Sequence, residues 1–347
     1  MNQKYAIEQF NYSKSFNYKR SIITIFDLKL DDILSLGIQS KPILYGCFDL
    51  GKNYAETNLL NLFKYTSDIC LLSCTCSVRY LDNTLGYFEL IDCSAQNIAN
   101  IDDIMYSTNS NRDLYQYVDK IDLSYNMITN IKDDLFENLK YLRNLDLSYN
   151  LISNINPKSM SYFVNLEQLS LNGNDISDSN WFTSNNLNYL KKFEINNNQI
   201  NSIDSIVFDN AKNLTYLDLS FNRLELIKDT TFAGLVNLRI LKLNNNFIRD
   251  IYDSSFVTLI SLNNLDLSIN NLTVIREKTF NGLTNLEDLS LRSNQISQID
   301  VKAFNRLSSN LNVDLRNNQL DLKYIYLDCR SIFRNSYSYF LIINFLE

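Results

Sequence analysis

The chain contains no histidine. That one absence excludes a Ser-His-Asp triad, a Cys-His nucleophile pair, imidazole-ligated zinc and any histidine switch near neutral pH. An excess of positive charge is missing too. Lys and Arg number 32 against 39 Asp and Glu, for a net charge of −7. Nucleic-acid binders normally carry a basic stripe, so this balance argues against one. No run of about 18 apolar residues occurs, so nothing in the chain as written spans a bilayer as a helix. The apolar run from Tyr339 to Leu346 is far shorter. Residues 1–20 lack the apolar core of a signal peptide, and the stretch Ser21 to Phe26 ends at Asp27. Glycine (7) and proline (2) are scarce in 347 residues. Turns built around Asn, rather than around special backbone angles, fit that scarcity.

What is abundant is Leu, at 53 residues, and Asn, at 50. Both fall at fixed places in a repeated sentence. Val118-Asp-Lys-Ile121-Asp-Leu123-Ser-Tyr-Asn126-Met-Ile128 returns as Leu142-Arg-Asn-Leu145-Asp-Leu147-Ser-Tyr-Asn150-Leu-Ile152. Further copies start at Leu166, Leu190, Leu214, Leu238, Leu262, Leu286 and Asn310, always 24 residues on. The shared template is L-x-x-L-x-L-x-x-N-x-L-x-x-I followed by F-x-x-L. A fixed period of this length is the signature of a solenoid.

Each fixed position has a physical reason. Apolar residues at positions 4 and 6 alternate with polar ones, the period of a short strand with one buried face. Position 9 is Asn in all nine units, from Asn126 to Asn318. A buried amide must have its donors and acceptor met. These Asn side chains are therefore expected to bond the backbone where the chain leaves the strand, as a structural ladder. Position 19 is Phe136, Phe208, Phe232, Phe256, Phe280 or Phe304, with Met160 and Ser184 as departures. With Leu at position 22 it supplies the opposite wall of a core that no single unit can bury. Trp181 and Phe182 belong to the unit with Ser184 and are expected to compensate for it locally.

Four cysteines, Cys70, Cys74, Cys76 and Cys93, precede the array. A solenoid end must be capped, and these residues sit where a cap belongs. Disulfides and a four-thiolate metal site both suit such a cluster; the location favours disulfides. The 24-residue unit with Phe at position 19 resembles the typical leucine-rich repeat of extracellular proteins such as Slit, the Toll-like receptors and the small leucine-rich proteoglycans. The cysteine cluster resembles the N-terminal cap of those proteins. The resemblance implies an α/β solenoid, a horseshoe with a parallel β-sheet on its concave face. It also implies the pairs Cys70–Cys76 and Cys74–Cys93. Three features depart from that pattern: Leu71 replaces the usual proline, the gap from Cys76 to Cys93 is long, and only Cys329 follows the array. Cys47 and Cys329 are left unassigned. The expected organisation is a non-repeat leader at 1–69, a cap with a degenerate first repeat at 70–117, nine repeats at 118–320 and a C-terminal segment at 321–347.

Function is expected on the strand face, at positions 3, 5, 7 and 8. Position 5 reads Asp122, Asp146, Ser170, Glu194, Asp218, Lys242, Asp266, Ser290, Asp314. Such a row either selects a basic partner or is a solvated default of the repeat. Position 8 adds Tyr125, Tyr149, Phe221 and Ile269, residue types that anchor interfaces. Asp122, Tyr125, Asp146 and Tyr149 form the preferred patch. An open sheet offers nothing to raise one carboxylate's pKa above another's, so no catalytic pair, cofactor or metal is expected. Sequons stand at Asn11, Asn213 and Asn271 and matter only in a secreted protein. The expectation is a non-catalytic module for a protein ligand with a basic surface, extracellular or at the cell surface. The alternative is a cytoplasmic scaffold with reduced cysteines.

Overall fold

In the computed structural model, the structure describes residues 74–80, 86–101 and 118–320, apart from 133–135, 138, 183–186 and 205–206. It also describes the short strands Ile43–Leu44, Phe48–Asp49 and Ile342–Asn344. Cys70, Cys47, Cys329, Ser184 and Asn11 lie outside the described residues, as does the side chain of Cys76.

Positions 3 to 5 of every unit form a three-residue strand, from Lys120–Asp122 to Asn312–Asp314. These strands pair in parallel, without slippage, in one 12-stranded sheet. The alternation is the expected one. Position 4 points inward and is buried, as at Ile121, Leu145, Phe193 and Leu241. The Gly86–Asp92 strand joins ahead of the array, parallel to Lys120–Asp122 and antiparallel to Thr75–Tyr80. Ile342–Asn344 pairs in parallel with the last repeat.

The back of each unit is mostly turn rather than helix. Among the described residues its regular pieces are two-residue strands, short 3-10 turns and one four-residue α-helix, Pro157–Met160, whose N-cap Asn156 accepts from the Lys158 backbone N–H. Phe208, Phe232 and Phe256 stack behind the sheet at ring spacings of 6.2 and 6.1 Å. Parallel strands lie about 4.8 Å apart. A wider pitch at the back than at the sheet bends the stack, with the sheet on the concave side. Trp181 and Phe182 are buried and pack edge-on at 5.4 Å, and Phe182 stacks on Phe193 at 4.5 Å. They fill the unit that carries Ser179 at position 14.

From Asn150 to Asn318 the Asn ladder has the same geometry. In Asn222, Nδ2 donates to the carbonyls of Leu219 at 3.1 Å, Ser220 at 3.3 Å and, one repeat earlier, Ile195 at 3.0 Å. Its Oδ1 accepts from the Ile200 backbone N–H at 3.0 Å. The amide thus joins two repeats at once. A second ladder, unexpected from the template, runs along position 24. Asn165, Asn237 and Asn285 each donate to a carbonyl 25 residues earlier, as does the Ser261 hydroxyl.

One expectation is overturned. The turns do use a special backbone angle, in every repeat. Position 8 is left-handed at Tyr125, Tyr149, Gly173, Asn197, Phe221, Asn245, Ile269, Ser293 and Asn317, with φ between 53° and 67°. There the backbone N–H extends the sheet ladder, as from Tyr125 to the Ser148 carbonyl at 2.9 Å. The next residue can then turn its amide inward. Scarce glycine therefore means that costlier residues occupy this angle.

Candidate binding surface

The left-handed turn throws position 8 outward along the edge where the chain leaves the sheet. Tyr125, Tyr149, Phe221 and Ile269 are 59, 44, 49 and 51% exposed. For a residue with a Cβ, this backbone region costs roughly 1–2 kcal/mol, and most for branched side chains such as Ile. Four repeats use Gly or Asn there, which tolerate it best. Tyr125 and Tyr149 stack at 4.5 Å with their planes 12° apart. Behind them Gly173 leaves room: a Cβ at that position would meet Tyr149 Cδ1 at 2.7 Å. Two further apolar side chains, Met127 and Leu151 at position 10, are 49 and 51% exposed in the same two repeats. The template hid them, because position 10 varies without pattern.

The position 5 carboxylates divide into distinct groups. Asp122, Asp146, Asp218, Asp266 and Asp314 each accept the backbone N–H two residues on, at 2.9–3.1 Å. The row is thus part of the turn, not merely a solvated default. It also buries its position 7 neighbours Ser124, Ser148 and Ser220, contrary to the expected exposure. Glu194 pairs with Lys192 at 2.9 Å, and Asp314 with Arg316 at 2.7 Å. The Arg316 hydrogen bonds hold the Asp314 carboxyl below its ordinary range. Asp122, Asp146 and Asp266 have no cationic partner among the described residues.

In the middle of the sheet, Asp218 is buried, not a free surface carboxylate. It accepts from Ser220 Oγ at 2.6 Å and the Tyr216 hydroxyl at 3.2 Å, with Lys242 Nζ at 3.5 Å. Lys192 and Lys242 lie over the Tyr216 ring at 5.4 and 5.3 Å. Burial raises the Tyr216 pKa, and the Tyr216 hydroxyl raises that of Lys242. Sequence reasoning found Glu194, Asp218 and Lys242 but missed Lys192 and Tyr216, whose position 3 column shows no pattern. The structure thus separates the predicted residues into a tyrosine patch at one end, a braced cluster in the middle, and Phe221 and Ile269 along the edge.

Ahead of the array, Cys74 and Cys93 form a disulfide. Of the described sequons, Asn213 donates through Nδ2 to the Asn188 carbonyl at 2.5 Å, while Asn271 is exposed at position 10. No described helix is long and apolar enough to cross a membrane.

Residues 116–176 match the family model "Leucine rich repeat", and residues 201–336 match "BspA type Leucine rich repeat region (6 copies)". No curated protein sequence matches the chain. Among solved structures, TLR13 in complex with ssRNA13 is 27% identical, with a TM-score of 0.58 over 65% of this chain and 32% of that one. Toll of Drosophila in complex with Spatzle is 24% identical, with a TM-score of 0.62 over 74% and 34%. An internalin of Listeria monocytogenes is 27% identical, with a TM-score of 0.54 over 67% and 62%. The chain spans about a third of the length of the Toll and TLR13 chains.

Proposed function

The chain belongs to the leucine-rich repeat family, and we propose from that premise that it is a non-catalytic module binding a protein ligand at the cell exterior. The observation that carries this reading is the Tyr125–Tyr149 pair. Both rings are exposed and both stand on left-handed backbone. Folding gains little from either choice, whereas a ligand gains two flat, rigid anchors. The second oxygens of Asp122 and Asp146, on the adjoining strands, have no partner among the described residues. Carboxylates beside tyrosine faces favour Lys or Arg on the ligand.

Stacked rings also suit bases, and TLR13 was solved with single-stranded RNA. Here two unpaired carboxylates would face the phosphates, and the net charge is −7, so the protein-ligand reading is the better one. The Cys74–Cys93 disulfide supports an oxidising compartment. A cytoplasmic scaffold with reduced cysteines is the second reading.

Affinity capture with the wild-type chain and with Tyr125→Asn/Tyr149→Asn tests the function. A partner depleted at least tenfold on the variant, and released as salt rises, is expected. Equal retention by both chains would falsify it. Alkylation of the native protein with and without reductant tests the compartment, through the mass added at Cys74 and Cys93. Free alkylation of both without reductant sinks the extracellular reading.

A further inference from the structure

The same edge carries a second apolar feature of opposite electrostatic character. Asn197, Phe221, Arg223, Asn245 and Phe247 line a shallow groove of about 420 Å³, floored by two amides of the Asn ladder. Phe221 and Phe247 are 49 and 53% exposed, and Phe221 holds φ at 53°. The nearby charges are mostly compensated: Lys242 pairs with Asp218 at 3.5 Å and Arg249 with Glu225 at 3.2 Å. The exposed Arg223 is the exception. Its backbone N–H bonds the Ile200 carbonyl at 2.8 Å, but its guanidinium has no carboxylate partner among the described residues. One uncompensated positive charge thus stands beside two phenyl faces in a chain of net −7.

We infer that this groove is a second recognition site, for a peptide segment carrying a carboxylate next to an aromatic or branched aliphatic side chain. It rests on the reading of the chain as a protein-binding module. Arg223 offers a planar fork of donors matched to a carboxylate. Phe221 and Phe247 take the apolar side chain, and the Asn197 and Asn245 amides bond the peptide backbone as donor and acceptor. A single strand of nucleic acid also presents flat rings and anions, but binding it takes several cationic contacts along the backbone. This groove offers one. The tyrosine patch prefers a cation and the groove an anion, so the two sites select different segments of a ligand.

Selection of displayed random 12-residue peptides on the full chain tests this. Enriched peptides are expected to carry Asp or Glu within two residues of Phe, Trp, Leu or Ile. A fluorescein-labelled copy of one should bind Arg223→Glu and Phe221→Asn/Phe247→Asn at least tenfold more weakly. Arg223→Gln, which matches Gln199, Gln295 and Gln319 at the same position, provides a mild variant with the same expected direction. Tyr125→Asn/Tyr149→Asn should bind the peptide within twofold of wild type, so failure of the tyrosine patch and failure of the groove are told apart. The proposal is overturned if no acidic-apolar motif is enriched, or if both Arg223 variants bind like wild type. It is also overturned if a 12-nucleotide oligouridylate displaces the peptide and binds more tightly.

Discussion

Positions 8 and 9 are neighbours in every repeat and have opposite fates. Position 9 is always Asn, buried in eight of the nine units and held by the same set of backbone bonds. Position 8 is always left-handed, but its residue ranges over Gly, Asn, Ser, Tyr, Phe and Ile. The difference lies in where the side chain goes. At position 9 only one side chain satisfies the available donors and carbonyls. At position 8 the ladder uses the backbone N–H, and the side chain is left to meet something else, such as a neighbouring ring at Tyr125 and Tyr149 or the Ser293 hydroxyl at Asn317.

The largest effect is expected from breaking the constant member. Asn222→Asp is isosteric, but it sets a carboxylate against three carbonyls. A loss of about 4 kcal/mol is expected, at least as large as for Asn222→Ala, measured as a lowered urea midpoint. A milder effect of Asn222→Asp than of Asn222→Ala would show that the amide's donors matter little. Next comes a back-side turn. Gly282 has φ of 99°, and a Cβ there would lie 2.6 Å from the Phe256 carbonyl oxygen. Gly282→Ala should cost roughly 1–3 kcal/mol in the same assay.

The variable member should respond in the other direction. Ile269→Asn relieves the worst left-handed residue without losing a described ring contact. A gain of about 1 kcal/mol in unfolding free energy is expected, and a clear loss would show Ile269 to be structural. For Tyr125→Asn/Tyr149→Asn, relief of strain offsets the lost stacking of roughly 0.5–1.5 kcal/mol. The melting temperature should barely move while ligand capture falls. The smallest effect concerns Asp314. Its folded pKa is lowered by Arg316. The resulting stabilisation is present above the unfolded carboxyl's ordinary value of 3.8 and is lost as pH falls through the lower folded value. Arg316→Gln should therefore weaken the protein slightly at neutral pH and leave its stability unchanged in strong acid.

Position 9 was legible because the same chemistry requires the same residue each time. The strands at positions 3 to 5 and the Phe column were legible for the same reason. The left-handed angle was not, because Tyr, Phe and Ile do not advertise it; only the Gly and Asn in the same column do. The position 24 ladder was partly visible as Asn165, Asn213, Asn237 and Asn285, but Tyr141 and Tyr189 interrupt it. Met127, Leu151, Arg223 and Phe247 were invisible because exposure depends on the direction of the turn, which no periodicity states.

The Asn ladder has one consequence for how such a protein changes over generations. From Asn150 onward its bonds reach 22 and 27 residues back, so an inner repeat meets the same sockets whichever copy precedes it. Recombination that removes or duplicates a whole inner unit leaves every socket filled. It moves the tyrosine patch relative to the Phe221 groove by about one strand spacing, roughly 5 Å. The span between the two sites is thus counted in whole units, and a lineage can retune it stepwise without redesigning either end.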